Sequence, residues 1–494
     1  MVKEHLVSHL RACLSQLKTS FEHCLGNADN YAKRNKSKED CVSKLPDEML
    51  SSIISFLTLT DAVRMSLVSK RWRHIYASMS SLNFDLYTMF SAPDDCNSQQ
   101  HCSHFCLHYR NTFVQRVNQF LQLHSAPRIM SFRFSFCFVR EFAGDVDRWI
   151  SFAVRMGVEK LDLNFACRDS IIVGSMFSDN YNEMYNLSCQ LLSEASKLNH
   201  LCLSSCTLQL EFGCFNNLIS LDLNQVPLSC NELQMILSRC LKLEWLGVRR
   251  CPVPGKLCIC GPSLKFLEVF CCAGLKEIEL SAVNLTTFEF SEILETKFSF
   301  SNVPKLEQVF FRGYYYDAID SIFSELTRDL PELKILSLSM FTLYVRYPKW
   351  PTSFSKVKQL ELSINNDFEP DLLKITPILS ACPLLQKFHI MMRSYTRRSE
   401  ESTKEPPKCV HTQLKEVEFG GFSGTRNQIE FAIFLLKNAI SLDKMIIDVH
   451  YKLYFGCGKW KNGCISTWTE DKRDEIHKQL QGRVISATAK VIIR

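Results

Sequence analysis

Apolar residues in this chain keep two different rhythms, and the change from one to the other divides it. Over residues 45–85 they fall three and four apart, so that Met49, Leu50, Ile53, Ile54 and Leu57 share one face of a predicted helix. Pro46 suits the first helical position, where its missing N–H costs nothing, and Asp47 and Glu48 suit the positive end of the helix dipole. Thr60 is placed to cap a second helix carrying Val63 and Leu67. Ser69 is placed to cap a third, on which Trp72 and Tyr76 lie one turn apart. Such a small three-helix unit buries too little surface to stand alone, so it leans on a neighbour or a partner. Upstream, Leu6, Leu10, Leu14, Leu17 and Phe21 mark a further helix, joined to the unit by a basic run from Lys33 to Lys38 that reads as a solvated linker, with a nuclear localisation patch as the alternative. Downstream, the polar stretch from Ser91 to Gln100 reads as a loop.

Apolar residues at helical spacing from Phe113 to Leu123 lead into Ile129–Phe136, which alternates like a strand. A repeat of the form L-x-x-L-x-L follows. It begins at Val158 and Leu198 and returns at Leu218, Leu243, Leu264, Leu275, Leu285, Leu306, Leu333, Val357, Leu385, Leu414 and, more loosely, Leu442. Starts are mostly 20 to 29 residues apart, with short steps of 11 and 10 at Leu264–Leu275–Leu285. A strand that buries one side and returns at this period is a leucine-rich repeat. No repeat can bury its leucines alone, so neighbours stack and share one core. Residues 229–240, 317–329 and 369–381 read as helices between strands, whereas 264–285 leaves room only for turns or short extended pieces. The expected fold is α/β: an N-terminal three-helix unit, then an irregular leucine-rich-repeat solenoid (a horseshoe) with a C-terminal cap. The cap reads as a strand, a Gly-rich turn, a helix with Ile429, Ile433, Leu436 and Ala439 on one face, and a last strand.

The helical unit resembles an F-box. Leu45-Pro46, the Ile53-Ile54 pair, Leu57, Asp61, Val63, Leu67-Val68-Ser69, Lys70, Trp72 and Arg73 stand where that family's pattern asks for such residues; Thr58 departs from it, since the family usually has proline there. The resemblance implies a segment that binds a Skp-type adaptor and, through it, a cullin. The adaptor-binding side chains it implies are Leu45, Pro46, Leu50, Ile53, Ile54, Leu57, Val63, Leu67, Val68 and Trp72. Further pieces, at Phe113–Phe138, Asp147–Ala153, the repeats and His411–Val449, resemble plant F-box/LRR proteins with an FBD-like C-terminal region. The domains expected are therefore an N-terminal helix and linker (1–42), the F-box (43–85), a linker (86–112), the repeats (113–410) and the FBD-like cap (411–494).

Composition narrows the function. A chain of 494 residues with 46% hydrophobic and 22% charged residues is a folded protein of two or three domains. A net charge of +6 is small for that length and gives no reason to expect nucleic acid. No apolar run has the length of a membrane span, and no hydrophobic leader opens the sequence. The 23 cysteines are odd in number and irregularly spaced, and are expected as reduced, buried thiols in a nuclear or cytosolic protein. His101, Cys102, His104, Cys106 and His108 alternate too tightly for ordinary zinc-ligand spacing and are expected in a loop, with no metal and no cofactor. No phosphate-binding glycine loop, H-E-x-x-H or G-x-S-x-G is present, so the chain is expected to be non-catalytic.

Candidate recognition residues come from the strand pattern itself. The residue between the last two apolar positions of each repeat points away from the core. In order these are Asp162, Cys202, Asp222, Gly247, Glu268, Glu279, Glu289, Phe310, Ser337, Glu361, His389 and Glu418. They form a largely acidic column in a basic protein, with Glu268, Glu279, Glu289 and Glu361 as the candidate target-binding set and a merely solvated charged face as the alternative. The expected function is substrate recognition for a Skp-cullin-F-box ubiquitin ligase. A scaffold acting without a ligase and a small-molecule receptor stand as the alternatives.

Overall fold

The computed structural model describes residues 46–47, 49–50, 70–85, 89–90, 102–137, 140–166, 184–210, 215–292, 296–313, 326–340, 353–365, 371–392, 410–454, 456, 460–464, 468–482 and 489–494. The chain falls into two compact units, Met1–Phe136 and Cys137–Arg494. The expected helix before residue 22 and most of the first two F-box helices lie outside the described residues.

In the first unit α1 (Lys70–Ala77) leads into β1 (Ser81–Asp85); α2 (Cys102–Leu123) follows, and β2 (Ser131–Ser135) pairs parallel to β1. Alternation puts Leu82 and Phe84 of β1 and Phe132 and Phe134 of β2 on one buried side, and α2 covers it with Phe113, Val117 and Phe120. Phe120 takes Phe84 and Tyr76 edge to face at 5.4 and 5.0 Å. Tyr76, placed by the sequence on the third F-box helix, is thus a core residue, and burial holds its hydroxyl far above the usual phenol range. Residues 102–112, expected as a loop, are helical. The Tyr109 ring packs at a tilt on Phe90, 4.6 Å away and one turn before Phe113, which extends the packed face of α2 toward its N-terminus. Residues 113–136 fall within this compact unit.

The second unit opens with α3 (Ala143–Arg155), β3 (Lys160–Asn164), β4 (Tyr185–Ser188), β5 (His200–Ser204), β6 (Cys206–Gln209) and β7 (Ser220–Asn224). It continues with α4 (Cys230–Arg239), β8 (Trp245–Arg249), β9 (Gly255–Cys260), β10 (Phe266–Phe270), β11 (Leu275–Ser281), β12 (Thr287–Glu292), β13 (Lys297–Asn302) and β14 (Gln308–Gly313). Then come β15 (Ile335–Met340), β16 (Gln359–Ile364), α5 (Thr376–Ser380), β17 (Lys387–Met392), β18 (Glu416–Gly420), α6 (Arg426–Asn438), β19 (Lys444–Asp448), β20 (His450–Tyr454), β21 (Trp460–Cys464), α7 (Glu470–Leu480) and β22 (Lys490–Ile493). Within this unit the main sheet runs β3-β5-β7-β8-β10-β12-β14-β15-β16-β17-β18-β19-β22, with each neighbouring pair parallel. One face of it is the core, where the leucines of each repeat are buried. The other is called the open face below.

A single backbone device repeats along the sheet. Ser205, Gln225, Arg250 and Cys271, each just past a strand end, have positive φ between 48 and 55°. Each turns the chain inward yet still donates its N–H to the carbonyl of the next strand, at Asn224, Arg249, Phe270 and Ser291. The residue that follows is driven into the core: Cys206, Val226, Cys251 and Cys272 are fully buried or nearly so. Cysteine suits that slot because a thiol is small and apolar yet donates weakly; Cys251 reaches the Leu223 carbonyl at 3.5 Å and Cys272 that of Val248 at 3.4 Å. Burial pushes the Cys251 thiol up to about 12, and Cys206 above the usual thiol range.

Opposite the main sheet, the core is closed by whatever the repeat length permits. Where there is room, α4 forms, its N-terminus fixed by a reciprocal Ser229–Glu232 capping box. Leu243, Leu264, Leu285 and Leu306 are only 21 residues apart, and there β9, β11 and β13 form a second parallel sheet in place of helices. The phenylalanines Phe288, Phe290, Phe298 and Phe311 meet between the two sheets, with ring centroids 4.8 to 6.2 Å apart. The helix read from 369–381 is a 3-10 turn at Leu372–Ile375 followed by the short α5, because Pro377, lacking an N–H, starts a fresh helix. Of the helix read from 317–329, only 326–329 are described, and those are helical. The C-terminal β18–α6–β19 unit is as read, α6 being set by a Thr425–Gln428 capping box.

Candidate functional site

The open face carries the column read from the sequence, in register. Asp162, Cys202, Asp222, Gly247, Glu268, Glu289, Phe310, Ser337, Glu361, His389 and Glu418 are aligned strand by strand from β3 to β18. Adjacent strands stand about 4.8 Å apart, so the carboxylates are near neighbours. One member is misplaced. Glu279 lies on β11 in the second sheet, paired with Cys258 and Ser299, and its carboxylate meets Lys256 at 2.8 Å. Leu275 begins only 11 residues after Leu264, which is half a repeat. That stretch is the return leg of one coil and not a new turn of the main sheet, so Glu279 is removed from the column. The hydrogen bond from Lys256 holds its carboxyl below the usual range.

The acidic centre is a shared network. Arg249 Nη1 grips Asp222 at 2.6 and 2.7 Å, and its Nε reaches Glu268 at 2.7 Å. Its guanidinium lies 5.6 Å over the Trp245 ring, which stacks on Phe266 at 5.4 Å. Two carboxylates, Asp222 and Glu268, therefore share one guanidinium, and Glu289 stands beside Glu268 on the next strand. Glu268 is only 2% exposed, and desolvation outweighs the attraction of Arg249, lifting its carboxyl to about 7; Glu289 and Asp222 add to the rise. Arg249 itself is held above its ordinary range by the two carboxylates it serves, against the opposing effect of burial. Beside it, burial first and then Asp162 and Asp222 hold the Cys202 thiol in its neutral form.

Farther along, Glu361 accepts from Ser337 Oγ and Gln359 Nε2, each at 2.7 Å, and stands 3.9 Å from His389 Nδ1. His389, Glu416 and Glu418 bring donor atoms within 4.8 Å of one another, a spacing that suits a divalent ion. Lys444 already sits 3.1 Å from Glu416 and supplies a cation there.

The open face is not bare. After β19 the chain turns at Asp448, whose Oδ1 accepts from the His450 N–H at 2.8 Å, and β20 runs back against β17 and β18, paired antiparallel with β21. The His450 carbonyl accepts from Gly421 N–H at 3.0 Å. A Cβ on Gly420 would sit 3.0 Å from that carbonyl and 2.3 Å from Met391 Sδ, so a side chain there would block the crossing. At the far end the Tyr454 hydroxyl donates to Glu289 and its ring lies 4.3 Å from Phe310. Gly456, at φ +88°, passes directly over Glu268. Beneath this strap Glu268, Phe270, Glu289, Ser291, Phe310 and Arg312 line a small, partly open pocket, far below the size of an ordinary small-molecule site.

Sequence reasoning missed the aromatic residues of this face and missed the strap. Trp245 and Phe266 sit just before the second leucine of their repeats, a position the acidic column drew attention away from. The strap's own composition was visible: residues 450–464 contain Lys452, Lys459, Lys461 and four aromatics besides His450, with no acid.

The F-box positions are only partly described. Pro46 is exposed, and Asp47 meets Arg71 of α1 at 2.6 Å. Leu50 is fully buried, so it belongs to the unit's own core and is struck from the adaptor-facing set. Trp72 lies on α1. Leu45, Ile53, Ile54, Leu57, Val63, Leu67 and Val68 lie outside the described residues.

Comparison with known proteins finds two matching family models. The family model of the At1g61320/AtMIF1 LRR domain matches residues 120–485, and the F-box-like model matches 42–84. An Arabidopsis thaliana F-box/FBD/LRR-repeat protein, At5g56420, is 28% identical over 434 residues, 83% of this chain and 92% of its own length. The FBD-associated F-box protein At4g10400 of the same plant is 25% identical, covering 84% of this chain and 94% of its own length. The chain belongs to the At1g61320/AtMIF1 LRR-domain family, as a plant F-box/LRR protein with an FBD-like C-terminal region.

Proposed function

We propose that the chain is the substrate-recognition subunit of a Skp-cullin-F-box ubiquitin ligase. The observation that carries this is the joining, in one chain, of an F-box-like segment at 42–84 to a repeat sheet whose open face bears an ordered charged column. On this reading residues 43–85 form a three-helix F-box that docks on a Skp-type adaptor through Leu45, Pro46, Ile53, Ile54, Leu57, Val63, Leu67, Val68 and Trp72, and the adaptor links it to a cullin. The repeats curve as a horseshoe, and their open face, with Glu268, Glu289 and Glu361, holds a target protein in the nucleus or cytoplasm. The chain performs no chemistry of its own and needs no cofactor. Its contribution is proximity, because tethering raises the effective concentration of target lysines beside the ubiquitin carrier.

Docking is tested with Leu45→Ala combined with Pro46→Ala. Central apolar anchors dominate such interfaces, and truncating one commonly costs about 2 kcal/mol or more. The double variant is expected to lose co-purification with a Skp-type adaptor while its repeats keep their melting profile. Undiminished adaptor binding by a folded double variant contradicts the assignment, and a scaffold acting without a ligase then takes its place.

A further inference from the structure

We propose that the β20–β21 strap is a built-in occupant of the target-binding face, and that the partner which displaces it is a basic, aromatic-bearing extended segment of a protein. The proposal rests on the recognition reading above only for the identity of the incoming partner; the strap's occupancy is tested separately.

Charge is the first ground. The strap segment from His450 to Cys464 contributes three lysines and no carboxylate. Its β20 strand and Gly456 cross a face where Arg249 bridges Asp222 and Glu268, and where Glu289 accepts from the strap's own Tyr454. Complementary charge of this kind selects a partner and sets its register.

Contact chemistry is the second ground. Tyr454 uses both its ends: the hydroxyl donates to Glu289, and the ring packs against Phe310 at 4.3 Å. An aromatic anchor with a polar tip in a small pocket is the usual centre of a protein interface. Gly456 lets the backbone press onto Glu268, where a Cβ would come within 2.2 Å of Oε1. A ligand of this face is thus a narrow chain with a tyrosine-like anchor, which is what the strap supplies in cis.

The third ground is how the strap is held. Its ladder pairs β20 with β21, a two-stranded ribbon, while the main sheet's parallel ladder continues past it from β19 to β22. Two-stranded hairpins are marginal by themselves, so a few face contacts decide whether the strap lies down or lifts. Because it is tethered, it competes at a high effective concentration, and an external segment binds only when its affinity exceeds that handicap.

The test uses the full-length chain and a variant whose residues 450–464 are replaced by a Gly-Ser linker of equal length. The probe is a fluorescent peptide of residues 450–464 with Cys457→Ser and Cys464→Ser, followed by anisotropy. The strapless variant is expected to bind it at least tenfold more tightly than the intact chain, with binding lost on Glu268→Gln and Glu289→Gln and weakened as salt rises. Equal binding by both chains, or binding indifferent to the two carboxylates, overturns the proposal. If the strapless chain does not fold, Tyr454→Phe in the intact chain decides: hydrogen exchange in 450–454 and 460–464 must rise severalfold, and unchanged exchange overturns the proposal. Adaptor co-purification is measured in the same samples. Its loss contradicts the ligase reading and leaves the strap result standing, whereas failure of the peptide arm leaves the ligase reading standing.

Discussion

Arg249→Met removes the cation that bridges Asp222 and Glu268, while keeping a long side chain to lie against Trp245. Glu268 is 2% exposed and its carboxyl titrates near 7 in the fold, against an ordinary value of 4.5. Breaking a buried pair by deleting one partner commonly costs about 3–5 kcal/mol. Here the loss depends on pH, because a protonated Glu268 no longer needs the guanidinium. At pH 8 we expect a loss of about 3 kcal/mol, and at pH 5.5 about 1 kcal/mol. The direction follows from linkage. A group whose pKa is raised by folding binds its proton more tightly in the folded state, so its contribution is complete below about 4.5 and is lost as pH rises through about 7. Each pH unit in that window is worth about 1.4 kcal/mol, so Glu268→Gln should flatten the wild-type decline between pH 5.5 and 8 by about 2 kcal/mol. Urea unfolding followed by far-UV circular dichroism at both pH values reads all three chains. Equal destabilisation of Arg249→Met at the two pH values, or an unchanged pH slope in Glu268→Gln, refutes the network as described.

Removing all residues after Val410 uncovers Leu385, Phe388 and Ile390 and takes away Phe431, whose ring stands 6.2 Å from Phe388; the truncated chain should aggregate or become protease-sensitive, read by size exclusion and limited trypsin digestion. Cys206, Cys251, Cys272 and Cys382 are buried, and burial lifts the thiols of Cys251 and Cys382 to about 12; a thiol reagent at pH 8 should leave these four unmodified in the native chain and modify them in urea, as peptide mapping will show.

How much of this was legible in the sequence follows from the range of the interactions involved. Strand positions and the column's register are local consequences of alternation, so the sequence alone aligns Glu268, Glu289, Glu361 and Glu418. Glu279 was misassigned because its leucine pattern is that of a strand, and the pattern cannot say which of two sheets the strand joins. The 21-residue spacing from Leu264 to Leu285 held that information, since it leaves one main-sheet strand per repeat. Helix α2 was read too short because its first turns are rich in His, Cys and Ser; what orders them is packing such as Tyr109 on Phe90. The strap was out of reach for a different reason. Tyr454 and Glu289 are 165 residues apart, and no local periodicity reports a contact at that separation.

The central claim is that one part of the chain engages the ligase while the open face holds the target, and a paired capture tests it most directly. Wild type, the Leu45→Ala/Pro46→Ala variant and a Glu289→Gln/Glu361→Gln/Glu418→Gln variant are used as baits at low and moderate salt, with adaptor and captured proteins quantified by mass spectrometry. Screening acts over about 8 Å at physiological salt, so capture through the column should also weaken as salt rises. The account predicts proteins that remain with the F-box variant, disappear with the carboxylate variant, and gain ubiquitin only with wild type, while adaptor binding shows the opposite pattern. A captured set unchanged by the three carboxylate substitutions at both salts contradicts recognition by the open face.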